Sequence, residues 1–442
     1  MKSSPQKILN NNEANVTKTA AIKAFFYQKF IRDVSFNLVS SFIVALSGIL
    51  LNIIVANNYN VAGFGLFNQV MAIYIILSII TAFGFHISII RHTAECRNNI
   101  DTINELITSA LIFISLFSTI LTIVLLASLT LADSFIKSHL LIIGLKNIII
   151  SLPFFSLNKI LMGFLNGLRK MRTYAFSQIA RCCFLIFFIL YSIFYHKPVT
   201  FSLYAFPFAE ILLFSVLSLY VKRFFNFSLN NLQYWIKKHI LFSITSLMAD
   251  SMSDLNSKMD ILVIGWLMSD YHVGIYSFAS TIAKGFIMIS GVLQLNFNPI
   301  ISRLWAEKHI DKLNECIEKL KKTSFIIMLS ILSIAALLYP VFLRIFIKNN
   351  LFLNNSLVFY ILLIGIFIYS TNYWAGGILE MVGHPKEKIK LASIALVFNF
   401  ICHIVLIKLL GINGAAIATT LTYTLIIILL KVFTKNKLDI KL

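Results

Sequence analysis

Apolar positions gather into runs of spanning length, about 20 residues each, near 34–56, 66–90, 106–131, 140–161, 173–195, 200–221, 240–268, 273–298, 323–345, 356–380, 389–409 and 412–432. They predict an all-α integral membrane protein of about twelve transmembrane helices, with both termini on one side. The seventh run differs from the others. Ser243, Ser246, Asp250, Ser253, Asp254, Ser257 and Lys258 step by threes and fours, which lays them in one stripe of a helix. A charged side chain facing lipid at mid-bilayer costs roughly 2.5–3.5 kcal/mol on insertion scales, so the stripe must face protein or a water-filled cavity. Asp254 and Lys258, at i and i+4, can neutralise each other. Asp250 needs a partner from another helix.

Composition agrees with this pattern. Charged residues make up 13% of the chain and mean hydropathy is +0.85, against about 25% charged in soluble domains. The net charge of +20 would indicate nucleic acid in a soluble protein, but here placement decides. The termini and loops on one side carry 28 Lys and Arg, those on the other 5. By the positive-inside rule the basic side is cytoplasmic, and no patch remains for nucleic acid. Residues 1–33 read as a cytoplasmic leader, having no apolar run before a cleavage site. Cys96, Cys182, Cys183, Cys316 and Cys402 form no CxxC pair and are expected as reduced thiols.

The chain also repeats itself. Ala62-Gly63-Phe64-Gly65-Leu66-Phe67 after the first span has the placement of Val273-Gly274-Ile275-Tyr276-Ser277-Phe278 after the seventh, and Gly167-Leu168-Arg169-Lys170 answers Gly383-His384-Pro385-Lys386. Two parallel six-helix bundles follow, 34–221 and 240–432, related by an axis along the membrane normal. The basic linker 222–239, with Tyr234 and Trp235, is expected on the membrane interface as a hinge. In 303–322, Ile310, Leu313, Ile317 and Leu320 make an apolar stripe among charges, which predicts an interfacial amphipathic helix. Residues 433–442 form a cytoplasmic tail.

No GxxxxGK[ST], HExxH or GxSxG motif and no zinc-spaced Cys/His cluster occurs, so nothing points to ATP hydrolysis, proteolysis or acyl transfer. The external loops hold about a dozen residues at most, too few for a catalytic domain set on a scaffold. The chain does not read as an enzyme. Five basic residues lie within spans: Lys146, Lys159, Arg181, Lys258 and Lys284. Lys159 is near enough to the basic end to snorkel. Lys146, Arg181, Lys258 and Lys284 suit the anionic head of an amphiphile. Glu210, Asp250, Asp254 and Asp260 are expected to line the cavity or hold a coupling proton or sodium ion, the only cofactor in view. A structural pair of Glu210 with Arg181 or Lys146 is the competing reading. His86 and His403 read as packed, hydrogen-bonded side chains ahead of a proton relay.

Lys258-Met259-Asp260-Ile261-Leu262-Val263-Ile264-Gly265, then Val273-Gly274-Ile275-Tyr276-Ser277, Asn298-Pro299-Ile300 and Gly411-Ile412-Asn413-Gly414-Ala415-Ala416-Ile417-Ala418-Thr419 resemble the bacterial polysaccharide transport (Wzx-type O-antigen flippase) family of the multidrug/oligosaccharidyl-lipid/polysaccharide exporter superfamily. The resemblance implies a V-shaped exporter that flips undecaprenyl-pyrophosphate-linked oligosaccharides across the inner membrane by alternating access. Its partners would be that lipid-linked oligosaccharide, membrane lipids and a polysaccharide polymerase. Many relatives have a basic residue after the aspartate where this chain has Ile261. Twelve helices, against the fourteen of the lipid II flippases, count against a peptidoglycan precursor. A cation-coupled multidrug exporter of the same superfamily and a membrane polymerase or ligase are the alternatives.

Overall fold

The computed structural model describes Phe36 and residues 39–131, 138–382 and 384–438. The leader 1–33, Gly383 of the second repeat and residues 439–442 of the tail lie outside the described residues, as does the side chain of Asp250. The first bundle comprises α1 (Val39–Asn58), α2 (Val61–Ala82), α3 (Phe85–Glu95), α4 (Ile100–Leu131), α5 (His139–Ile149), α6 (Leu152–Gly167), α7 (Met171–Phe194), the short α8 (Val199–Ser202) and α9 (Ala205–Val221). The second has α10 (Leu232–Leu267), α11 (Asp270–Gly285), α12 (Ile287–Ala306), α13 (Ile310–Phe346), the short α14 (Leu351–Asn354), α15 (Leu357–Tyr373), α16 (Ile378–Met381) and α17 (Pro385–Leu438). Among the described residues, nine helices, or ten if the bent α5/α6 pair is one span, are long and apolar enough to cross a membrane. The polar α10 and the division of α17 at Gly411 bring the total to the twelve expected.

Local chemistry sets the breaks. The expected span 140–161 bends by 42° between α5 and α6, where Pro153 in the first turn of α6 can donate no backbone N–H to continue the ladder. The expected span 66–90 divides at Phe83 and Gly84, both at positive φ. Gly411 takes φ 60° and ψ −138°, a conformation essentially confined to glycine.

The apolar core explains the shape. At the end away from the basic loops one cluster spans both bundles, joining Val55, Phe64 and Phe67 to Val273, Tyr276 and Phe352. Toward the basic end it separates into a first-bundle cluster around Phe85, Leu106 and Phe164 and a second-bundle cluster around Phe297, Leu313 and Trp374. The bundles therefore form a V with one shared core at the apex and separate cores at the basic end, where the first turns of α10 bridge them. At the apex the two repeat segments lie against each other. A Cβ on Gly65 would overlap the carbonyl of Asp270, and one on Gly274 that of Val61, so only glycine permits this approach of α2 and α11. Asn57 adds a clasp, donating from Nδ2 to the Phe346 carbonyl at 2.7 Å and accepting from Lys348 N at 2.9 Å.

Two expectations at the basic end are revised. Trp235 is buried, not interfacial: α10 begins at Leu232 and its first turns pack on the first bundle, where Trp235 Nε1 donates to Glu105 at 3.2 Å. His239, fully buried, accepts from Ser88 Oγ at 2.8 Å and donates to the Leu106 carbonyl at 3.2 Å. Residues 303–322 are not a separate surface helix. Arg303–Ala306 closes α12, residues 307–309 make the turn, and 310–322 is the first third of α13, whose Leu313 and Ile317 enter the second-bundle core. The stripe is apolar as expected, but protein covers it instead of membrane.

Candidate functional site

Helices α10 and α11 run antiparallel and place Asp260 and Lys284 side by side, Nζ to Oδ2 at 2.6 Å. Asp260 Oδ2 also accepts from Tyr276 Oη at 2.9 Å and Ser280 Oγ at 3.4 Å, while Lys284 donates to the Ser257 carbonyl at 2.9 Å. The chain of contacts continues from Tyr276 to Thr419 Oγ1 at 3.0 Å and on to His403 Nε2 at 3.4 Å. His403 Nδ1 donates to the Asn399 carbonyl at 2.8 Å, and Asn399 donates to the Asn256 carbonyl at 3.0 Å. Asp260, Tyr276, His403 and Asn399 are all buried. Such a network is stable in an apolar surround because nearly every member is hydrogen-bonded.

Beside this network the second bundle holds a cavity of about 510 Å³, lined by Lys284 and Lys388, the amides of Asn256 and Gln294, and the rings of Tyr369, Tyr373 and Tyr423. That volume is typical of a small-ligand site. Tyr369 and Tyr423 stack with centroids 4.5 Å apart.

The first bundle has a counterpart. Arg181 on α7 pairs with Glu210 on α9, Nε to Oε1 at 3.0 Å and Nη2 to Oε2 at 3.3 Å. Asn158 on α6 donates to Glu210 Oε2 at 2.8 Å. Arg181 and Lys159 both lie over the ring of Phe155, at 5.2 and 5.5 Å, and line a cavity of about 270 Å³ with His86, Tyr174 and Gln178. Lys159 is within electrostatic reach of Asp254 on α10. The larger cavity is lined from α10 by Ser253, Asn256 and Ser257, within a turn of Asp254.

Of the expected site residues, the structure brings Lys258, Lys284, Asp254 and Asp260 together in the second bundle and Arg181 with Glu210 in the first. Lys258 lies within electrostatic reach of Lys284, Asp260 and Asp254 but, among the described residues, forms no salt bridge with Asp254. Lys146, on α5, lines neither cavity. Sequence reasoning passed over Lys159, assigned to snorkelling, and Lys388, counted with a loop although it lies in the first turn of α17. The spacing of Lys159 to Gly163, one helical turn, was the available signal, since both line the same cavity.

Comparison with known proteins fits this geometry. The family model described as "Polysaccharide biosynthesis protein" matches residues 30–305, and the MatE model matches 254–407. An uncharacterized membrane protein, MJ1068, of Methanocaldococcus jannaschii is 24% identical over 431 residues, covering 90% of this chain and 82% of its own. Among solved structures, the lipid II flippase MurJ in an inward closed conformation aligns with a TM-score of 0.73 at 17% identity, covering 91% of this chain and 87% of its own. An inward-facing multidrug resistance MATE family transporter of the MOP superfamily aligns at 0.71 and 16% identity, with 90% and 94% covered. At these identities the two structures show a common fold. With more than half its length matched by the family model, this multi-pass membrane chain belongs to the polysaccharide biosynthesis protein family and shares the fold of the MurJ and MATE structures.

Proposed function

We propose that the protein translocates a lipid-linked oligosaccharide, an undecaprenyl-pyrophosphate-linked repeat unit for O-antigen or another surface polysaccharide, from the cytoplasmic to the outer leaflet of a bacterial inner membrane. The observation that carries this reading is the pair of cation-bearing cavities, one in each bundle of the V. Arg181 and Lys159 on one side and Lys284 and Lys388 on the other suit a phosphate-bearing head, and the Tyr, Asn and Gln groups suit sugar hydroxyls. A ligand that bridges both bundles favours the closed form over the open one and so drives alternating access through its differential affinity. Asp254 and the Asp260 network are the groups proposed to carry a coupling proton or sodium ion.

The test has two arms. Deleting the gene should leave completed lipid-linked repeat units on the cytoplasmic leaflet and abolish surface polysaccharide, with drug sensitivity unchanged. In liposomes the purified protein should move a fluorescent polyprenyl-pyrophosphate glycan between leaflets without ATP. Single, unpolymerised units on the outer leaflet of the deletion strain would identify a polymerase instead, and altered drug sensitivity with normal polysaccharide would identify a drug exporter.

A further inference from the structure

Lys284 stands on the boundary between two environments. Its carboxylate partner Asp260 is almost wholly buried, with a side chain 3% exposed, whereas the side chain of Lys284 is 22% exposed and lines the cavity of the second bundle. One ammonium thus serves an internal anion and faces the space a ligand would enter. Asp260 is built to survive its departure. Tyr276 Oη, Ser280 Oγ and the Ile261 N–H, the last at 2.9 Å to Oδ1, all donate to it. Stripping a buried ion of its only partner is strongly unfavourable, but here several donors remain. The Lys284 ammonium, for its part, keeps the Ser257 carbonyl and has a flexible four-carbon stem.

We infer that the cavity of the second bundle binds a saccharide bearing an anionic oxygen group, phosphate or sugar carboxylate, and that this anion displaces Asp260 as the partner of Lys284. The stacked Tyr369 and Tyr423, with Tyr373, Asn256 and Gln294, surround the position the sugar would occupy. This deepens the reading above, on which it rests. The exchange couples cargo to protein, because the ion pair that ties α10 to α11 is given up when cargo binds and re-forms when it leaves.

Calorimetric titration of the purified full-length protein with inorganic pyrophosphate and, separately, with glucuronate tests it. Removing the internal competitor should raise affinity, so Asp260→Asn is expected to bind one of these probes on the order of tenfold more tightly than wild type, by the fraction of Lys284 set free. Lys284→Gln should bind neither. Tightening for pyrophosphate alone assigns the anion to the lipid phosphate, and tightening for glucuronate alone assigns it to an acidic sugar. A monodisperse Asp260→Asn protein that binds both no better than wild type overturns the exchange. If Asp260→Asn does not fold, infrared difference spectra of wild type with isotope-labelled aspartate serve instead. The carboxylate band should shift on ligand addition, and a stationary band overturns the proposal. Failures are separable: wild-type liposomes that move the glycan lipid while Asp260→Asn shows no tightening keep the function and lose the exchange. Tightening without glycan movement by wild type keeps the exchange and loses the lipid cargo.

Discussion

Glu210 illustrates what a charge costs inside this protein. It is 3% exposed, and its two oxygens are taken by Arg181 and Asn158. Arg181→Ala would leave that carboxylate buried without its cation, a change that costs about 3–5 kcal/mol for buried pairs. Arg181→Met/Glu210→Gln removes both charges while keeping volume, and should recover most of that loss. Thermal unfolding of the three proteins in detergent checks the ordering. A single mutant as stable as wild type would mean the pair contributes nothing to the fold. Recovery of stability without recovery of transport in the double mutant would separate a role for Arg181 toward cargo from its structural role.

The helices owe their arrangement to a few backbone positions. Gly274 lets α11 lie against the Val61 carbonyl of α2, and Gly274→Leu should push the two helices apart at a cost of about 1–3 kcal/mol, as overpacking does. The measurement is cross-linking of Asn57→Cys to Lys348→Cys by a short bis-maleimide, in a background lacking the five native cysteines. The cross-link should form with Gly274 present and fall in the Gly274→Leu variant. Gly411→Ala tests a different constraint. Its φ of 60° and ψ of −138° are costly for any side chain, by about 1–3 kcal/mol. A lower unfolding midpoint is expected, and an unchanged one would show that the kink can relax.

For the whole molecule, the shared core at one end and the divided core at the other make the direction of the V testable through topology. With 28 basic residues on one side against 5 on the other, both termini and residues 303–322 are expected in the cytoplasm. A phosphatase fusion after Lys322 should be inactive and one after Asn349 active, with the reverse pattern for green fluorescent protein. Strong phosphatase activity after Lys322 would invert the V and turn the end with the divided core outward.

Spans, their number and the polar character of the helix α10 were legible in the sequence, because hydrophobic length and helical period are local properties. So was the need for partners of Arg181 and Glu210, since a charge in a span is expensive wherever it lies. The identity of partners was not legible. Lys284 reaches Asp260 across 24 residues, and Lys159 and Lys388 face cavities whose walls come from several helices. Periodicity also says that a face is apolar without saying what covers it. The stripe of Leu313 and Ile317 reads toward the membrane surface yet packs in the core of Phe297 and Trp374, and Trp235 reads toward the interface yet lies in the first-bundle core. Burial by lipid and burial by protein remove the same apolar area from water. Only the tertiary structure decides between them, and with that the cavities and the pairing of Lys284 with Asp260.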